Sequence, residues 1–286
     1  MIPVITSAHT LASDYDAWLC DIWGVVHNGR DPFVAAAEAL VAYRAQGGTV
    51  VLITNAPRPN TEVAEQLVYY HLPDEAYDAI VTSGDVTRHL ITERAGKPIF
   101  HLGPERDRPV FAGLDVTLVK ADAAELIVNT GLFDDYTETP EDYRERLTAF
   151  HERGVPMICA NPDLVVERGA EIVHCAGGLA VLYEEIGGQV IYAGKPHLPI
   201  YDLCRDRIRA ARGMVPDNSR ILAIGDGLKT DVRGAHAAGL DCLFVPSGIH
   251  LQPGQKRDQA TLDGLFEGAE KKPVAAINGL SWSVAA

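Results

Sequence analysis

AWLCDIWGVV, residues 17–26, decides the reading of the fold, because it is an apolar run that carries one isolated acid, Asp21. Strands buried on both faces of a parallel sheet read as near-continuous hydrophobic runs, and a carboxylate at the end of such a run needs a reason. Outward from it, strand and helix patterns alternate. FVAAAEALVAYRAQG (33–47) is Ala-rich and stops at Gly47-Gly48, which reads as a helix and its end. TVVLITNA (49–56) is a second β-branched strand that closes on Thr54 and Asn55. A helix over 61–70, a short strand at AIVTS (79–83) and a helix from near Ser83 continue the series. This rhythm predicts an α/β fold with a Rossmann-like parallel-sheet core.

From near Phe100 the pattern restarts. PIFHLG (98–103), LDVTLV (114–119), AELIVNTG (124–131), VPMICAN (155–161) and AEIVHCAG (170–177) read as strands, with a helix from near Pro140 to Arg153. We read residues 93–190 as a smaller α/β unit inserted into a core made of 1–92 and 191–286. The core then resumes with QVIYAGKP (189–196), a helix over 198–211, the strand RILAIGD (220–226), the helix DVRGAHAAG (231–239) and the strand DCLFVP (241–246). No internal repeat is present, and the tail beyond Gly264 carries no readable pattern.

Composition narrows the function classes. The 286 residues suit two cores better than one, and 47% apolar with 22% charged residues is a globular balance. A formal net charge of −14 argues against nucleic acid as a partner. Five scattered cysteines (Cys20, Cys159, Cys175, Cys204, Cys242), never spaced Cys-x-x-Cys, fit apolar fillers in a reducing compartment rather than a disulfide or zinc framework. No apolar run reaches the roughly 20 residues of a membrane span, so a cytoplasmic protein without a membrane partner is expected.

Four chemical groups end strands of the core, where open α/β sheets place their ligands. They are Asp21, the pair Thr54-Asn55, Lys195, and Asp226 of GDGLKTD (225–231). Each has an ordinary alternative: a helix cap, turn chemistry, a solvated Lys-Pro loop. Together they describe one reaction. A carboxylate can attack phosphorus covalently, but nucleophile and substrate are both anionic, so a cation must join them. Mg²⁺ does so with oxygen ligands, for which Asp21 and Asp226 are the natural pair. Thr54 and Asn55 can donate to phosphate oxygens, Lys195 can neutralise charge, and glycines such as Gly24 let backbone N–H groups approach closely.

The chain resembles the haloacid dehalogenase (HAD) superfamily, subclass IIA, whose large α/β cap marks pyridoxal phosphate, phosphoglycolate, nucleotide and sugar phosphatases. DIWGVVHNG (21–29), VLITNAPRP (51–59), NPDL (161–164), GKP (194–196) and GDGLKTDVRGAHAAG (225–239) carry the resemblance through nearly the whole chain. It implies a Mg²⁺-dependent phosphatase of a small phosphorylated metabolite. Asp21 is then the nucleophile, Thr54 and Lys195 phosphate binders, and Asp226 a Mg²⁺ ligand. Asp231 stands behind Asp226, and the Trp23 backbone carbonyl serves as a further ligand. Residues 93–190 become the cap, whose turn Asn161–Asp163 helps select the substrate, and a homodimer through the cap is a further expectation.

One departure matters. The family's phosphatases carry a second Asp two residues after the nucleophile, as general acid and base; here that residue is Trp23. Losing such assistance is worth about 10²–10⁴-fold, felt fully by an alkyl phosphate and less by an aryl or acyl phosphate. His27, just beyond, could lie at the substrate or simply pack at the cleft edge. Two alternatives follow: a catalytically weak relative that binds a phospho-ligand or a partner protein, or a Mg²⁺-independent hydrolase acting at carbon, as in dehalogenation. The intact GDGLKTD loop counts against the latter.

Overall fold

The computed structural model describes residues 1–168, 171–246 and 259–283; of the segments read above, 169–170, 247–258 and 284–286 lie outside the described residues. The chain divides into two compact units, Met1–Thr54 with Glu65–Val81 and Tyr201–Ala286, and Asn55–Ala64 with Thr82–Ile200. Among the described residues, no helix is long and apolar enough to cross a membrane.

The first unit is built on a seven-stranded sheet of order β1-β13-β12-β11-β2-β3-β4. Its strands are β1 Val4–Ile5, β2 Ala17–Asp21, β3 Thr49–Thr54, β4 Ala79–Thr82, β11 Ile221–Gly225, β12 Asp241–Phe244 and β13 Ala275–Ile277. β2 lies between β11 and β3 and runs parallel to both. Every residue of these three strands is buried, which is why their sequences are apolar without alternation. The helix Val34–Ala45 seals one face through Tyr43, whose ring stacks on Trp18 of β2 at 3.7 Å between centroids. β1 and β13, two and three residues long, are too short to show a pattern in sequence.

The second unit holds a four-stranded parallel sheet of order β10-β7-β6-β5, with β5 Ile99–Leu102, β6 Leu126–Asn129, β7 Met157–Cys159 and β10 Val190–Tyr192. An antiparallel pair, β8 Val165–Arg168 and β9 Glu171–His174, accompanies it. Alternate residues feed two separate cores. Ile127, Met157 and Cys159 join Leu147, Phe150, Leu179 and Tyr183 from the helices Arg144–Glu152 and Ala176–Ile186. Leu126, Val128 and Ile158 join Ile91, Val110 and Phe111. Both faces of the sheet are therefore covered, as a parallel sheet requires.

Three expectations need correction. LDVTLV (114–119) is not a strand: it makes one isolated bridge, Leu118 to Ile99, and lays Leu114, Val116 and Leu118 against the second core. QVIYAGKP does not reopen the first sheet. Its Val190, Ile191 and Tyr192 pair with Met157, Ile158 and Cys159 in the second one. The helix Ser83–Thr92 likewise gives Ile91 to the second unit. Strand-like patterning alone does not say which sheet a strand joins.

Phe150 is a test of the second unit's core, being 1% exposed. Phe150→Ala should cost about 3–5 kcal/mol, read as a lower denaturant midpoint at unchanged m-value.

Candidate active site

Parallel register brings the core's acids together. Asp21 closes β2 opposite Ile53, so Thr54 lies one residue further along the neighbouring strand. On the other side Cys20 pairs with Ile224, which sets Gly225 beside Asp21 and Asp226 one residue beyond. Asp21, Asp226 and Asp231 are all buried, and each offers a carboxylate oxygen within 4.8 Å of the others. Asp21 Oδ1 accepts the Ile22 N–H at 2.8 Å. Asp231, in the π-helical turn Leu228–Val232, accepts the Gly227 N–H on Oδ2 at 3.0 Å and so ties down the residue after Asp226.

Two glycines are explained by these carboxylates. Gly24 has φ +87°, and a Cβ there would sit 2.2 Å from Asp226 Oδ2; a Cβ on Gly225 would sit 2.2 Å from Asp231 Cγ. Three carboxylates this close and away from water are favourable only when one takes up a proton or cationic charge joins them. The donor set is oxygen alone, which fits a hard divalent cation such as Mg²⁺ rather than a thiophilic one. The backbone amides tell a different story from the one expected. The Gly24 N–H is donated to the His27 carbonyl at 2.8 Å and that of Gly227 to Asp231, so neither is an idle phosphate donor.

Of the two places left open for His27, at the substrate or packed at the cleft edge, the structure has it packed: it is 1% exposed and stacked on Tyr70 with centroids 4.2 Å apart. Its Nδ1 accepts the Gly29 N–H at 3.0 Å, which fixes a neutral ring with the proton on Nε2. Burial pushes its pKa down to about 4. Trp23 meets the His27 ring edge-on at 5.2 Å. Gly29, at φ +84°, has no room for a side chain because a Cβ would fall 2.5 Å from Trp23 Cζ2. Trp23 and His27 thus build the turn that follows the nucleophile.

The second unit carries the other residues. Asn55 and Lys195 are 3% and 2% exposed. Read from sequence, the Asn55 amide serves phosphate oxygens; in the structure both of its N–H groups are taken. Nδ2 donates to Asp163 Oδ1 at 2.9 Å and to the Lys195 carbonyl at 3.1 Å, while Oδ1 accepts the Lys195 N–H at 2.7 Å. Asn161 turns the chain beneath this group, its Oδ1 accepting the Asp163 N–H at 3.0 Å. Sequence reasoning passed over Asp107. It is a buried carboxylate 3.6 Å from Arg58 Nε, pushed up to about 6 by burial against the opposing pull of Arg58 and Arg106. Its surroundings, ERDRPVF, read as a solvated charged turn, so nothing in the pattern marks it.

A family model for haloacid dehalogenase-like hydrolases matches residues 18–117, and one for HAD-like hydrolases matches 192–268. The crystal structure of a haloacid dehalogenase-like hydrolase from Brucella suis superposes with TM-score 0.87 at 45% identity, covering 96% of this chain and 99% of that one. The 5'-nucleotidase YutF of Bacillus subtilis is 25% identical over 269 residues, 93% of this chain and 96% of its own. Ribonucleotide monophosphatase NagD of Escherichia coli is 28% identical over 238 residues, 81% and 87% of the two chains. A parallel sheet that ends in Asp21, Thr54 and the Asp226–Asp231 loop, matched along almost its full length by such relatives, makes this chain a member of the haloacid dehalogenase-like hydrolase family.

Proposed function

We propose that the chain is a Mg²⁺-dependent phosphatase that cleaves small phosphorylated metabolites through an aspartyl-phosphate on Asp21. The observation that carries this is the buried group of Asp21, Asp226 and Asp231, with ligand oxygens within 4.8 Å of one another at the ends of adjoining parallel strands. Relatives named as a 5'-nucleotidase and a ribonucleotide monophosphatase support a phosphate monoester on a small molecule. The same acidic group weighs against displacement at carbon, which calls for no cation.

In this reading an Asp21 oxygen forms the bond to phosphorus as the bond to the leaving oxygen breaks. Water then attacks the aspartyl-phosphate and returns the carboxylate with inorganic phosphate. The Thr54 hydroxyl and the Lys195 ammonium donate to phosphoryl oxygens, whose charge grows in the transition state. Asp21, Asp226 and the Trp23 carbonyl would hold Mg²⁺, with Asp231 bracing the loop. When bound, it offsets the repulsion between anionic nucleophile and anionic phosphate. The inserted unit serves as a cap that screens substrates, and its Asn161–Asp163 turn contributes to the choice.

Proton transfer is the weak step. The indole N–H of Trp23 is no acid, and His27 is neutral, buried and occupied with the Gly29 amide. Substrates with good leaving groups are therefore favoured.

Phosphate release from aryl, acyl and alkyl phosphates, with and without Mg²⁺, tests the whole reading. Release should require Mg²⁺ and disappear in Asp21→Asn; a folded wild type no faster than that variant would leave only ligand binding. Trp23→Asp should raise the ratio of alkyl to aryl turnover by at least about tenfold, part of the range general acid catalysis supplies. An unchanged ratio would falsify the account of Trp23. His27 makes a separate prediction about stability. Its folded-state pKa of about 4 lies below the ordinary 6.5, so the unfolded chain takes up the proton first. Stability then falls as pH drops through that window, by up to about 1.4 kcal/mol per pH unit. His27→Gln should lose less stability than wild type between about pH 7 and about pH 5 by chemical denaturation, and equal losses would mean that the ring is not buried neutral.

A further inference from the structure

We infer that Asn55 is a positioning residue that aims Lys195 by gripping the lysine's own peptide groups and tying them to the Asp163 turn. The inference rests on the reading of Lys195 as the cation that neutralises the transferring phosphoryl group.

Three bonds carry it. Asn55 Oδ1 accepts the Lys195 N–H at 2.7 Å, Nδ2 donates to the Lys195 carbonyl at 3.1 Å, and Nδ2 also donates to Asp163 Oδ1 at 2.9 Å. A primary amide has one acceptor and two donors, and all three functions are used here. Asp at this position would keep the acceptor but lose both donors and set a second carboxylate against Asp163. Ser and Thr are too short, and Gln adds a methylene to a packed site.

Gripping both the N–H and the carbonyl of one residue fixes the orientation of its backbone, and with it the direction in which the side chain leaves. Packing enforces the same arrangement. A Cβ on Gly194 would lie 2.4 Å from Asn55 Oδ1 and 2.8 Å from both Pro162 Cδ and Ser83 Oγ, so the segment before Lys195 can approach only as glycine. Asn161, through the Asp163 N–H, holds the third corner. Because Asn55 and Lys195 are both buried, these bonds are poorly replaced by water, and losing one leaves a peptide group unsatisfied. Asn55 thus reaches the chemistry through Lys195, whereas Thr54, the residue before it, is assigned to the phosphate itself.

Steady-state phosphate release from an aryl phosphate by wild type, Asn55→Ala, Lys195→Ala and the double variant forms the test, alongside hydrogen exchange at the Lys195 amide. Asn55→Ala should lower kcat about 10- to 100-fold, the scale of a misplaced charged group. On the Lys195→Ala background the same change should alter kcat within about twofold. The Lys195 amide should exchange faster in Asn55→Ala than in wild type. Equal losses on both backgrounds, or an unchanged kcat, overturn the inference, because Asn55 would then act independently of the lysine or not at all. If Asn55→Ala does not fold, Asn55→Asp, almost the same size, runs the same cycle with the same expected pattern. Lys195→Ala with wild-type turnover would remove the reading of Lys195 and the role of Asn55 with it. Slow exchange of the Lys195 amide in Asn55→Ala, with Lys195→Ala inactive, would remove the grip alone.

Discussion

Three carboxylates held close together in a buried place are the constraint on which the rest of the first unit depends. Asp21, Asp226 and Asp231 are buried with ligand oxygens inside 4.8 Å, a grouping that a soft or mobile scaffold would relax by spreading apart. The sheet prevents this. β2, β3 and β11 are buried along their whole length and bonded in parallel register, so the ends carrying Asp21 and Gly225 cannot separate without breaking the ladder. Glycine at 24 and 225 follows from the same crowding, because a methyl group at either position would overlap a carboxylate. The site is packed from behind by its own acids.

Several polar side chains of the candidate site hold backbone in place. Asp231 fixes the Gly227 amide, His27 fixes the Gly29 amide, and Asn55 fixes both peptide groups of Lys195. A buried polar group must find partners, and a neighbouring loop's N–H is the nearest one that also confers rigidity. Precision at a reacting centre needs the groups around it locked as well as present. The first unit gives way to the second at the peptide bond between Thr54 and Asn55.

How much of this was legible follows from the kind of information each feature uses. Asp21 could be found because an acid in AWLCDIWGVV contradicts the hydrophobic pattern around it, and Asp226 because GDGLKTD has a distinctive spacing after a strand. The parallel core could be read because buried strands and amphipathic helices alternate in sequence order. Sheet membership could not: Val190–Tyr192 reads identically whether it pairs with β2 or with β7, and only long-range register decides. LDVTLV has strand composition but spends its apolar residues on a core rather than on a ladder. The direction of a side chain is equally hidden. Nothing in TVVLITNA tells that Asn55 turns to a lysine 140 positions away, and nothing in ERDRPVF marks Asp107 as buried.

Trp23 is where chemistry and packing meet. Its backbone sits where a metal ligand is expected, and a backbone carbonyl is indifferent to the side chain that accompanies it. The ring is free to serve another purpose, and it closes the turn by covering Gly29 and bordering His27. A carboxylate in its place would give up that packing. On the phosphatase reading, the exchange of an acid for an indole raises the barrier to attack by Asp21 by very roughly 3–5 kcal/mol when the leaving group is poor, and by less when it is good. Selection by leaving group is then built into the turn that follows the nucleophile, and the cap has only to choose among substrates whose bond to phosphorus breaks without help from an acid.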